Sequence, residues 1–225
     1  MEQLLIRRKI IIALFANMAI LGMEIAGLVL SVQRHGIDVF QYYTENSNYF
    51  TLIASATFCV VAIISLIKKR PIALWVHTLR YISTVCLTIT LVIVLFVLIP
   101  LYPSTLAHML FQNSNLFQHL LCPTFSIVSF LYLENWQRLP TKHIYFALLP
   151  TMLYGVICLV LNFLRIITGP YPFFYIYVLP WYYSAPSLVG ILLVSYFIAF
   201  ILIAVRNKQQ RREKGKAKIL QKKET

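Results

Sequence analysis

Six long apolar runs separated by short polar stretches dominate the pattern of this chain. They cover residues about 10–32, 48–67, 79–100, 117–134, 144–164 and 186–205. Each approaches the roughly 20 residues a helix needs to cross the hydrocarbon core of a bilayer. Backbone in hydrocarbon must satisfy its own hydrogen bonds, which leaves helices or a closed barrel. The run "STVCLTITLVIVLFVLI" is rich in β-branched residues. It is too long for one barrel strand, however, and it does not alternate. The pattern predicts an all-α membrane protein: a six-transmembrane-helix bundle within residues 1–205, followed by a tail at 206–225.

Composition agrees, with 60% hydrophobic and 12% charged residues. Soluble domains carry about 25% charged residues. The opening "MEQLLIRRK" and its apolar run resemble a signal peptide in outline. The run is longer than the usual ~7–15 residues and no small-residue cleavage site follows, so an uncleaved first span is expected. The chain holds 20 Lys and Arg against 7 Asp and Glu. Such an excess would suit nucleic acid, but here it gathers at the ends of apolar runs. All the basic residues except Arg34 and Arg165 fall on one side of the predicted bundle: at the N-terminus, in the second and fourth loops (where Arg80 is placed) and in the tail. Positive loops stay in the cytoplasm, so both termini are expected there. The tail "RNKQQRREKGKAKILQKKET" is expected to touch anionic lipid headgroups or only to enforce topology.

Polar residues then fall on one leaflet. Thr44, Glu45, Asn46, Ser47 and Asn48 stand at the extracytoplasmic mouth of span two, His119 at that end of span four, and Asn162 and Arg165 at that end of span five; Glu24 lies in the outer half of span one. Thr44, Asn48, Thr51 and Ser55 form one helical stripe, and Asn17, Glu24 and Ser31 recur every seven residues. Polar stripes within spans turn inward, away from lipid. Glu24 is the costliest, at ~2.5–3.5 kcal/mol on insertion scales. It is expected to face the interior, either protonated or paired with Arg165 or His119. Cys59, Cys86, Cys122 and Cys158 read as small buried hydrophobes, with no metal site or disulfide framework. His35, His77, His108 and His143 are expected in loops or at interfaces. No phosphate-binding or dinucleotide motif appears, and no cofactor is expected.

Several short motifs, in order, resemble the bacterial six-span membrane proteins called the Pr-six-Pr family. "YYTENSN" resembles their element entering span two, "HLLCP" (His119 to Pro123) their H-x-x-x-P, "YLE" their acidic residue at Glu134, and "GPYPFFYI" their Tyr-Pro-Phe element before span six. Ser129 and Phe130 stand where an Asp-Trp-like pair would fit that pattern. The family is distantly similar to the androgen-induced membrane hydrolases, which cleave fatty-acid esters with Thr and His. The resemblance implies a bacterial cytoplasmic membrane, Thr44 as nucleophile and His119 as base, with Thr51 a weaker alternative.

The chemistry asks for a base within about 2.6–3.2 Å of the Thr hydroxyl. Glu24, Asn48 or a carbonyl would orient His119, and the first turn of span two would offer N–H groups to an oxyanion. The competing reading makes Thr44, Ser47 or Asn48 a helix cap and Asn46 a turn residue. Two other functions fit: a transporter or receptor holding a small polar ligand between Glu24, Asn48 and His119, or a non-catalytic membrane partner. "GPYPFFYIYVLPWYY" reads as an interfacial aromatic belt or as a cap over the site.

Overall fold

The computed structural model describes residues 2–134 and 137–224; beyond residue 213 no side chain is described. Among the described residues six helices are long and apolar enough to cross a membrane, and there are no strands. They are α1 (Glu2–His35), α2 (Tyr43–Lys68), α3 (Leu74–Leu101), α5 (Leu116–Leu133), α6 (His143–Phe163) and α7 (Trp181–Glu224). A short α4 (Leu106–Phe111) joins α3 to α5.

Local chemistry explains the boundaries. Lys69 takes the left-handed conformation (φ 52°) and its N–H closes on the Ser65 carbonyl, with Pro71 just beyond to prevent continuation of α2. In α3 and α5, wide π turns at Val94–Leu98 and Leu116–Leu121 lie just before Pro100 and Pro123. A proline gives no N–H to the carbonyl one turn back, and the helix widens locally to compensate.

Helix α3 is the centre of the bundle, packing against α2, α5, α6 and α7; α1 packs on α2 and α5. One apolar core joins Tyr81, Val85 and Ile89 of α3 to Phe130 of α5, Ala147 of α6 and Ile203 of α7. Phe15, Val60, Ile63, Leu153 and Val189 point outward, as residues facing acyl chains do. An ion pair between Lys9 and Glu213 brings α1 and the extension of α7 together, so both termini lie at one end.

The six expected spans are present, but their helices run past the apolar runs. Helix α2 already includes Thr44, and α7 continues as helix through the tail to Glu224. Because the side chains of Lys214 and of residues 216–225 lie outside the described residues, so does most of the expected lipid contact of the tail. Two expectations fail. Arg80 is in the second turn of α3 and fully buried, and His77, one turn earlier, is equally enclosed.

Candidate functional site: a buried polar column beside an apolar cavity

The inward stripes are real. Asn17, Glu24 and Ser31 of α1, and Thr44, Asn48, Thr51 and Ser55 of α2, are all buried. Helices α3 and α5 add Arg80, Ser83, Thr84, Gln118, Ser126, Ser129 and, at the end of α5, Glu134. The result is a polar column inside an otherwise apolar bundle.

Its anchor is the Arg80–Glu134 pair. The Arg80 Nε and Nη2 both donate to Glu134 Oε1 at 3.3 Å. The same oxygen accepts from Asn17 Nδ2 at 2.9 Å and Ser129 Oγ at 2.8 Å. Arg80 also donates to Ser55 at 3.1 Å, and to Ser83 and Ser126 at 3.3 Å. One guanidinium thereby ties α2, α3 and α5 together, and Asn17 brings in α1. Arg206 of α7 closes the arrangement from the termini end, donating to the Glu134 carbonyl at 2.6 Å and lying 4.8 Å over the Phe130 ring. By sequence both arginines fall with the loop and tail charges; in the fold they are interior charges. Ser129 and Phe130 both serve this cluster.

Farther along the column, Ser31 donates to Glu45 at 2.9 Å and Ser47 shares a 2.8 Å hydroxyl contact with Thr90. Asn48 Nδ2 donates to the Thr44 carbonyl at 2.8 Å and reaches the Gln118 carbonyl at 3.3 Å. The expected partners of Glu24 are elsewhere: Arg165 lies 4.8 Å over the Tyr177 ring, and His119 Nδ1 meets the Met109 carbonyl at 2.6 Å. Asn162 donates to the Thr168 carbonyl, bracing the loop after α6. Arg165 and Asn162 border a separate recess of about 340 Å³ with Tyr175 and Tyr177.

The capping reading of Thr44 does not hold. Helix α2 has Tyr42 at its N-cap position and no side-chain cap from its own entry. Its first turn is closed from outside, where the Tyr43 N–H donates to the Tyr171 hydroxyl at 3.2 Å. That hydroxyl also lies against the Thr44 hydroxyl and N–H. Asn46 donates to the Phe40 and Tyr42 carbonyls at 2.6 and 2.8 Å and fixes the turn before the helix. Burial pushes the Tyr171 phenol well above its ordinary range, so it stays protonated.

Thr44 and Tyr171 sit in the wall of an apolar cavity of about 170 Å³ between α3, α6 and α7. Ile89, Val94, Leu159 and Leu192 supply much of its surface. The segment after α6 forms its cap: Tyr171 stacks on Phe173 with centroids 5.2 Å apart, and Phe174 closes the wall. Trp181, Tyr182 and Tyr183 are exposed, as a belt requires. The aromatic stretch therefore divides into a cap and a belt.

His119 does not line this cavity, and no hydrogen bond joins it to Thr44 among the described residues. Sequence reading missed Arg80, Arg206, Gln118 and Tyr171. The first two looked like topology charges. The third is a neutral neighbour of the singled-out histidine, and the last belongs to a loop whose fold is not periodic. No protein-family model, curated protein or solved structure matches this chain.

Proposed function

We propose that this is a lipid-binding integral membrane protein that holds one acyl chain in the cavity between α3, α6 and α7. The observation that carries the reading is the make-up of that cavity: an apolar chamber with the neighbouring residues Thr44 and Tyr171 in its wall. Such a chamber suits an amphiphile whose chain lies along Leu159, Ile191 and Leu192. Its carbonyl or hydroxyl end meets the two hydroxyls. The surrounding bilayer supplies the ligand. The Tyr171 oxygen already accepts from the Tyr43 N–H, which leaves its proton to donate to Thr44 or to a ligand oxygen.

Gly155 offers the test. It lines the cavity and a Cβ there meets nothing within 4 Å. Gly155→Phe is expected to place a ring in the chamber from a position with room for the Cβ. Native mass spectrometry of the detergent-solubilised protein is expected to show a co-purifying lipid in the wild type and its loss in Gly155→Phe. Equal lipid occupancy in both proteins overturns the reading.

A second reading, ester hydrolysis with Thr44 as nucleophile, is favoured by the place of that hydroxyl in the cavity wall and by the resemblance already described. It needs a base. His119 carries its proton on Nδ1, because a carbonyl is the partner there, and so keeps a basic Nε2. For this chemistry the Nε2 has to come within about 2.6–3.2 Å of the Thr44 hydroxyl. Labelling by a fluorophosphonate probe, lost in both Thr44→Ala and His119→Ala, would establish this reading. Equal labelling in all three proteins excludes Thr44.

A further inference from the structure

The column has a gap in its hydrogen bonding one to two turns beyond the Arg80–Glu134 anchor. Glu24 is 1% exposed, Gln118 1% and Asn48 3%. Among the described residues, the Asn48 Oδ1 and both amide atoms of Gln118 have no hydrogen-bond partner, and the Glu24 carboxylate has none beyond a weak contact with the Cys122 thiol. These three residues come from three helices and occupy one locality. Gln118 packs against α1 at Gly27, where a Cβ would lie 3.2 Å from its Cγ; Gly27 is one turn from Glu24 on the same face. Asn48 reaches the Gln118 carbonyl. Cys122, one turn after Gln118, lies against the Glu24 carboxyl, and a thiol is a weak donor. Glu24 feels the charge of Arg80, but that guanidinium is bonded to Glu134, Ser55, Ser83 and Ser126.

We infer that Glu24, Gln118 and Asn48 form a binding site for one small monovalent cation, a sodium ion or a proton, in the interior of the bundle. Buried oxygens without donors are expensive, and a carboxylate among them more so. A small cation lowers the cost at the oxygens: sodium would neutralise Glu24 and be coordinated by the Gln118 and Asn48 amide oxygens, and a proton would make Glu24 a neutral donor to one of them. Hard oxygen sets of this kind suit small hard cations rather than soft metals. The site is separate from the acyl cavity, which none of the three residues lines.

The test uses the full chain in detergent at fixed ionic strength. Sodium is exchanged for choline while thermal unfolding is followed, and the protonated-carboxyl band is followed by infrared difference spectroscopy as pH is varied without sodium. If sodium is the occupant, wild type shows a saturable rise in Tm with sodium that Glu24→Gln lacks. If a proton is the occupant, Tm ignores sodium, and a carboxyl band that titrates with pH disappears in Glu24→Gln. Gln118→Met guards against a folding defect in the first variant, because it keeps the carboxyl and removes one ligand. It is expected to weaken the sodium midpoint at least tenfold, or to shift the titration of the carboxyl band. A Tm response or band that is the same in all three proteins, or absent in wild type, overturns the site.

Discussion

At the scale of single residues, the buried Arg80–Glu134 pair decides most. A charge left alone in a bundle interior is far more costly than a pair, because burial is no longer offset by Coulomb attraction and hydrogen bonds. Removing one member of a buried pair costs about 3–5 kcal/mol, whereas replacing both is often near neutral. Glu134→Gln and Arg80→Met are therefore each expected to lower unfolding free energy by that amount. The double variant should recover a large part of the loss. A double-mutant cycle on denaturant unfolding in mixed micelles reads the coupling; strict additivity would mean the pair acts as two independent polar groups. The sequence could not mark this pair. Arg80 follows "KKRPIALWVHTL", and its charge looks continuous with a basic loop. Only the start of α3 at Leu74 places it inside. Glu24 was legible, because a carboxylate in the middle of an apolar run has one plausible direction to face. Thr44 and His119 were each legible as polar residues, but the Met109 carbonyl as the partner of His119 was not. Sequence spacing says which face of a helix a residue takes, not which neighbour that face meets.

At the scale of elements, the segment after α6 closes both the cavity and the start of α2. Gly169 holds φ at +106°, and a Cβ there would lie 2.8 Å from the Phe174 Cβ. Gly169→Ala thus combines backbone strain with a clash. It is expected to cost about 1–3 kcal/mol and to expose the segment, and with it the start of α2, to limited proteolysis. Tyr171 adds a pH-dependent contact. Its phenol binds its proton more tightly in the folded chain than at the ordinary value of 10.0. Above that value the unfolded state loses the proton first, so stability from this group is full below pH 10.0 and falls as pH rises beyond it. Tyr171→Phe is expected to flatten that alkaline loss, seen as the difference between the two unfolding-pH profiles. An unchanged profile would mean that the phenol is not enclosed. Helix periodicity gave no view of this contact, because a loop of aromatics and prolines has no repeat to read.

For the whole molecule, the ordering principle is the separation of two kinds of charge. Arg80 and Arg206 are structural and sit inside; the loop and tail charges remain outside the apolar layer. Taking these two out of the count of topology charges leaves the asymmetry standing. Arg7, Arg8, Lys68, Lys69, Arg138 and Lys208 lie toward the end that holds the termini, and Arg34 and Arg165 toward the other. The positive end is expected in the cytoplasm, and on that expectation the aromatic cap, the α4–α5 corner and Arg165 would face the extracytoplasmic side. The ion pair of Lys9 with Glu213 contributes little to this, since an exposed pair is worth about 0–1 kcal/mol. Orientation therefore rests on the loops as a set, and single substitutions should not reverse it. Reporter fusions give the direct check. A phosphatase that folds only outside the cytoplasm is expected to be active when joined after Gln112 or Ile176 and inactive after Lys69 or Gln210. Reversed activities would put the cavity mouth on the cytoplasmic side. An acyl ligand would then have to come from the inner leaflet, and Thr44 could meet only substrates presented there.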